Sequence, residues 1–298
     1  MKKLFFTLIL AGFAIQGFSQ QLSTYSQYML NKYDINPAVA GTTNYNPITL
    51  AYRQLWTGLD EAPSTQTASS HIALSEKVGV GGKIFNISTG PITKTGMEAT
   101  YAYSIPVGTD GTRLSFGLSG MLYQFHLDKS KLVFNDMDDP IILFGSEKLM
   151  VPDASFGTYI YNERYYGGFA IYQLFNRQVD LMNDAYIDQR QVRHYFLHGG
   201  YDYIINEMWS VEPSLLLKFI EAGKMQVDIN VKGTYKQMLW AGLSYRTQDA
   251  VVIMVGAGKK RFEFGYSYDI VLSDMKYYCN GTHGILFTYK LSASKPKL

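Results

Sequence analysis

The sequence predicts an all-β chain: an outer-membrane antiparallel β-barrel of about fourteen strands, with a short N-terminal periplasmic or plug segment ahead of it. Three observations carry this. Short runs that alternate apolar and polar residues recur along nearly the whole chain. The connections between them sort by length: those after even-numbered strands are short, and the long ones all follow odd-numbered strands. The composition joins 24 Tyr and 27 Gly to only 9 Pro, with mean hydropathy near zero. Lipid-facing and lumen-facing residues cancel in such an average, so a barrel wall leaves no hydropathy peak.

The first element is a targeting segment. Met1-Lys2-Lys3 is cationic, and Leu4 to Phe18 is mostly apolar. That run suits a signal-peptide core and is too short for a transmembrane helix. Gly17 and Ser19 are small residues at −3 and −1 for a cut before Gln20. The alternative is a buried amphipathic helix. Residues 1–19 are therefore read as a signal peptide, with no lipobox cysteine at the cut. After it no apolar stretch is long enough to form a membrane-spanning helix. The single cysteine, Cys279, has no intrachain partner for a disulfide. Net charge is +2 with the signs interleaved, which suggests no nucleic-acid partner.

Residues 20–44 come next and are too polar for lipid. Tyr25, Tyr28, Met29, Leu30 and Tyr33 precede "NPAVAG" at Asn36–Gly41. Leaving that aromatic set solvated is unfavourable. The segment is expected to be ordered, as a short periplasmic helix or as a plug in the barrel mouth.

The barrel is expected over 45–298. Its strands are read near 46–54, 66–75, 78–88, 93–105, 112–126, 153–161, 165–173, 192–204, 208–219, 223–235, 238–246, 250–258, 261–269 and 283–291. In "RFEFGYSYD", Phe262, Phe264, Tyr266 and Tyr268 fall on every second position. Successive strand side chains point to opposite faces, so one face is wholly aromatic. A soluble sandwich would show the same alternation, but it has no reason to sort its loops by parity. Polar turns near Glu76, Asp110, Glu163, Asn206, Lys236 and Lys259 are short, whereas 55–65, 127–152, 174–191 and 270–282 are long. The aromatic face is therefore expected to meet lipid, with Tyr near the interfaces. Arg53, Lys83, Glu98, Glu212, Lys218, Asp228, Lys232, Arg246 and Glu263 are candidates for the lumen. Neither sign dominates, which favours a network of ion pairs over an ion-selective pore.

Signals for chemistry are weak. His194 and His198 lie on one strand face about 13 Å apart, too far to share a metal without a bend. "NDMDDP", with Asp136, Asp138 and Asp139, lacks the order of a known calcium loop and is read as a solvated outer loop. "GLSG" at Gly117–Gly120 lies inside a strand, not in a strand-turn-helix elbow, and is read as small residues on a lumen face. No catalytic, cofactor or metal residue is assigned.

With those residues in view, the chain resembles the PorP/SprF family of type IX secretion and gliding proteins. The stretches that carry the resemblance are "QYMLNKYDINPAVAG", "YRQLWTGLDEAPSTQTASSH", "GYDY", "VEPSLLLKF", "QVDINVKGTY", "GLSYRTQDAV" and "FGYSYDIVLSDM". The C-terminal strand "THGILFTYKL" departs from the pattern, having no acidic residue near Gly284. The resemblance implies a non-enzymatic outer-membrane barrel. It also implies partners: outer-membrane lipid, periplasmic type IX components and the C-terminal sorting domain of a secreted adhesin. Tyr25, Tyr28, Asn36, Pro37, Asp136, Asp138 and Asp139 are the residues expected to meet such a partner. A diffusion channel or ligand-specific transporter is the alternative, and an outer-membrane hydrolase a distant third.

Overall fold

The computed structural model describes residues 26–131, 147–177, 191–221, 223 and 225–292. Fifteen strand segments follow one another: β1 (Tyr45–Gln54), β2 (Ser64–Ala73), β3 (Val78–Thr89), β4 (Ile92–Pro106), β5 (Arg113–Leu127), β6 (Glu147–Tyr161), β7 (Tyr165–Tyr172), β8 (His194–Tyr201), β9 (Tyr203–Ile204), β10 (Trp209–Ile220), β11 (Gln226–Tyr235), β12 (Leu239–Arg246), β13 (Ala250–Lys259), β14 (Phe262–Val271) and β15 (Thr282–Ser292). Each pairs antiparallel with its sequence neighbour, and β1 pairs with β15 to close the ring. β8 and β9 share one register on β10: His194 lies opposite Ile220, and Tyr203 opposite Val211. Asp202 separates them, and its N–H donates to the Arg164 carbonyl in the adjacent turn. The two pieces act as one stave, and the barrel has fourteen. Closure pairs every sheet edge, which a wall in lipid requires.

Strand bounds follow the sequence reading closely, with one larger difference. β6 begins at Glu147 rather than near 153, because Glu147–Pro152 zip onto Leu122–Leu127 of β5. Pro152 hid this in the sequence, since a proline in a run argues against a strand.

Period-2 alternation sets the two faces of the wall. On β14, Phe262 and Phe264 are exposed outward and Tyr266 and Tyr268 half-buried beside them. Gly265, Ser267 and Asp269 are buried inward. The outward rows of neighbouring strands continue the apolar surface: Leu243 lies opposite Val231 on one side and Ile253 on the other.

Residues 74–77, 107–112, 162–164, 205–208, 236–238 and 260–261 make tight turns at one end. The strand ends that border the longer connections 55–63, 128–146, 173–193 and 272–281 lie at the other, together with those that border the short links 90–91, 221–225 and 247–249. In outer-membrane barrels short turns face the periplasm and longer loops the exterior. One tight turn shows how local chemistry fixes these corners. Asp110 accepts from the backbone N–H of Thr112 at 3.2 Å and from its hydroxyl at 2.8 Å. Those two bonds hold the Asp110 carboxyl below the usual carboxylate range.

Candidate functional site inside the barrel

The described residues ahead of β1, from Ser26 onward, lie inside the barrel. Their short turns are made locally. Asn36 caps the three-ten turn Pro37–Val39 by accepting from the Ala38 N–H at 2.9 Å, and Pro37 fills the first position, where no N–H is needed. That bond identifies the Asn36 oxygen, so its amide nitrogen is the donor to Thr158 O at 2.9 Å and to His198 Nε2 at 3.1 Å. Tyr28, Met29, Tyr33, Ile35, Asn36, Ala38, Val39 and Ala40 are all buried.

The path through the lumen can be read from the wall positions it touches. Ser26 donates to Asp269, near the long-loop end of β14, and receives Arg246, the last residue of β12. Tyr28 meets Asn230 on β11, and Tyr33 bonds Thr100 on β4 at 2.7 Å. Gly41 donates to His71, two residues from the short-turn end of β2. The segment therefore descends from the long-loop end to the short-turn end and enters β1 there. Close approach requires glycine on the wall. A Cβ on Gly117 would overlap the Pro37–Ala38 backbone, and one on Gly79 the Ala40 carbonyl.

Three ionic clusters line this path. At the long-loop end, Asp269 holds Arg53 at 2.8 Å and Arg246 at 3.2 Å, and Arg246 also holds Asp228 at 3.1 Å. At mid-height, Lys83 bridges Glu98 at 3.0 Å and Asp34 at 3.4 Å. Nearer the short-turn end, Glu212 holds Lys232 at 2.5 Å and Lys32 at 3.3 Å, with the Lys32 ammonium over the Tyr166 ring. All nine charges expected in the lumen occupy inward positions, and the pairs mix both signs. The His194 and His198 rings are also inward and buried. His194 Nδ1 meets the Gln173 side chain, so both histidines act as hydrogen-bonding core groups.

Of the residues expected to meet a partner, Tyr28, Asn36 and Pro37 are buried against the wall in this arrangement. Tyr25, Asp136, Asp138 and Asp139 lie outside the described residues, as does the signal segment 1–19. The sequence reading picked out the aromatics of the inner segment and missed the polar residues that dock it: Ser26, Lys32 and Asp34. Their only signal was negative. Lys32 and Asp34 are two charges in an otherwise uncharged stretch that has too many aromatics to stay in water.

Beneath the segment, on the β10–β15 side of the short-turn mouth, a cavity of about 380 Å³ remains, lined among others by Glu212, Lys232, Trp240, Glu263 and Lys290.

A family described as "Type IX secretion system membrane protein PorP/SprF" matches residues 17–289. The chain belongs to the PorP/SprF family. Among curated proteins, none matches it. Solved structures support the fold. The toluene transporter TbuX of Ralstonia pickettii is similar with a TM-score of 0.51 at 10% identity, over 94% of this chain and 97% of that one. The TodX deltaS2S3 mutant, a monoaromatic hydrocarbon channel, gives 0.52 at 9% identity, over 91% and 95%. At such identities the likeness is one of fold alone. Family and fold together make this PorP/SprF chain an outer-membrane β-barrel component of the type IX secretion system.

Proposed function

We propose that this barrel is a non-enzymatic anchor: it assists secretion and surface attachment of a secreted cargo protein, such as a large adhesin, and conducts no solutes while its inner segment is seated. The observation that carries the reading is the occupied lumen. Residues 26–42 pack against inward positions around the ring, and the wall's charges are spent on one another. A wall built for ion selection would instead present one sign to an open path. Contact with periplasmic type IX components is assigned to the short-turn face. Contact with a C-terminal sorting domain is assigned to the long-loop face, with Asp136, Asp138 and Asp139 in its longest connections. Cleavage of residues 1–19 as a signal peptide and the division at 44/45 belong to the same proposal.

Chemical crosslinking in native outer membranes, followed by capture through a tag after Leu298, tests it. Recovery of a secreted protein's C-terminal domain or of type IX components is the expected result. A barrel that comes down alone would move the alternative, a diffusion channel or ligand-specific transporter, to the front.

A further inference from the structure

Both charges that residues 26–44 carry into the lumen dock on a wall ion pair that is complete without them. Asp34 approaches Lys83, which already pairs with Glu98. Lys32 approaches Glu212, which already pairs with Lys232. Ser26 follows the same rule, because Asp269 already holds Arg53 and Arg246. Removing one partner from a buried ion pair is strongly unfavourable because it leaves a bare charge behind. Withdrawing this segment leaves none at these three points: Lys83 keeps Glu98, Lys232 keeps Glu212, Arg53 and Arg246 keep Asp269, and Lys32 and Asp34 regain water outside. A segment meant to stay would be free to supply a wall charge's sole partner, and here no such dependence exists among the three docking points.

The surroundings give a direction. The lower part of the segment, Asn36–Gly41, packs on β2–β8, while the opposite wall borders the open cavity at the short-turn mouth. Glu212 and Lys232 line that cavity, so the Lys32 contact lies at its edge, and the Lys32 side chain is 22% exposed. The segment's C-terminal end is fixed at Tyr45 on the same side. Gly41, at φ 76° in the left-handed region, supplies a joint just before that strand.

We infer that residues 26–42 form a releasable plug, which leaves through the short-turn mouth about a joint at Gly41 and opens the lumen behind it. Release would also bring Tyr28, Asn36 and Pro37, buried when the plug is seated, to the periplasmic side.

The test is a thiol-accessibility assay on the full-length barrel in lipid vesicles, in a Cys279→Ser background. Ser119→Cys is the reporter. Ser119 has no exposure, and its hydroxyl bonds Thr100, which in turn bonds Tyr33 of the plug. A membrane-impermeant maleimide should label it slowly. Lys32→Ala with Asp34→Ala should raise the rate about tenfold by weakening two docking contacts. Asp34→Asn is the milder variant should the double one not fold. Tethering the plug through Asn31→Cys and Ser69→Cys with a short thiol crosslinker should abolish labelling, since those side chains meet at 3.1 Å. Equal rates in parent and charge variants, with folded barrels verified on a heat-modifiability gel, would overturn the inference. So would undiminished labelling of the tethered protein, which would show that reagent enters past a seated plug. Neither result depends on cargo, so failure here is distinguishable from failure of the anchor reading.

Discussion

Arg246 is the residue on which the long-loop end of the lumen turns. Its side chain is 4% exposed and reaches Asp228, Asp249 and Asp269. Asp269 keeps Arg53 when Arg246 is lost, but Asp228 loses the bond it accepts from the buried guanidinium. Arg246→Ala is therefore expected to destabilise the barrel by about 3–5 kcal/mol, the usual range for breaking a buried pair. Lys32→Ala, which removes a cation from a glutamate that still holds Lys232, is expected to remain within about 1 kcal/mol, as a partly exposed pair would. Urea unfolding in lipid vesicles separates the two. The sequence announced Arg246 as a lumen charge because it falls on the inward phase of an alternating strand. It did not announce that Ser26 would join it, since that contact spans 220 positions and obeys no period.

At the scale of elements, the wall was far more legible than what it encloses. Period 2 makes each strand declare its own two faces, and short turns declare their ends, so fourteen staves and their phases could be read locally. Lys83 and Glu98 face each other because β3 and β4 form a hairpin across residues 90–91, and register follows from the turn. The inner segment has neither a repeat nor a hairpin to fix it. Its three-ten turns are local, but its course is set by contacts such as Gln27 to Gly284, 257 positions away. Only its aromatic content hinted that it must be covered. The lipid phase of the wall gives a sharp prediction. Leu243, outward on β12 between Val231 and Ile253, lies in the apolar belt. Leu243→Arg should destabilise the folded barrel in vesicles by about 2–4 kcal/mol if it lies at mid-depth. The same exchange at Gln124, on the polar outer margin of β5, should lower stability by about 1 kcal/mol or less. Equal losses at both positions would mean that the assigned membrane belt is wrong.

At the scale of the whole molecule, the barrel is a ring closed in register around its own N-terminal chain. Closure satisfies the backbone in lipid, the outward rows match the bilayer, and the inward rows receive residues 26–42. That arrangement separates this PorP/SprF barrel from a pore of similar outline: the interior is filled by the chain that built the wall, and wall charges are neutralised in place. On the anchor function proposed above, secretion and attachment rest on its two faces rather than on its lumen.

The measurement that tests this most directly is planar-bilayer conductance of the intact wild-type protein, with insertion verified by recovery of folded barrel from the same membranes. The account predicts a membrane that stays closed apart from rare, brief openings when the plug leaves. Long-lived, discrete open levels in the wild type would contradict it, since they require a lumen that residues 26–42 do not fill.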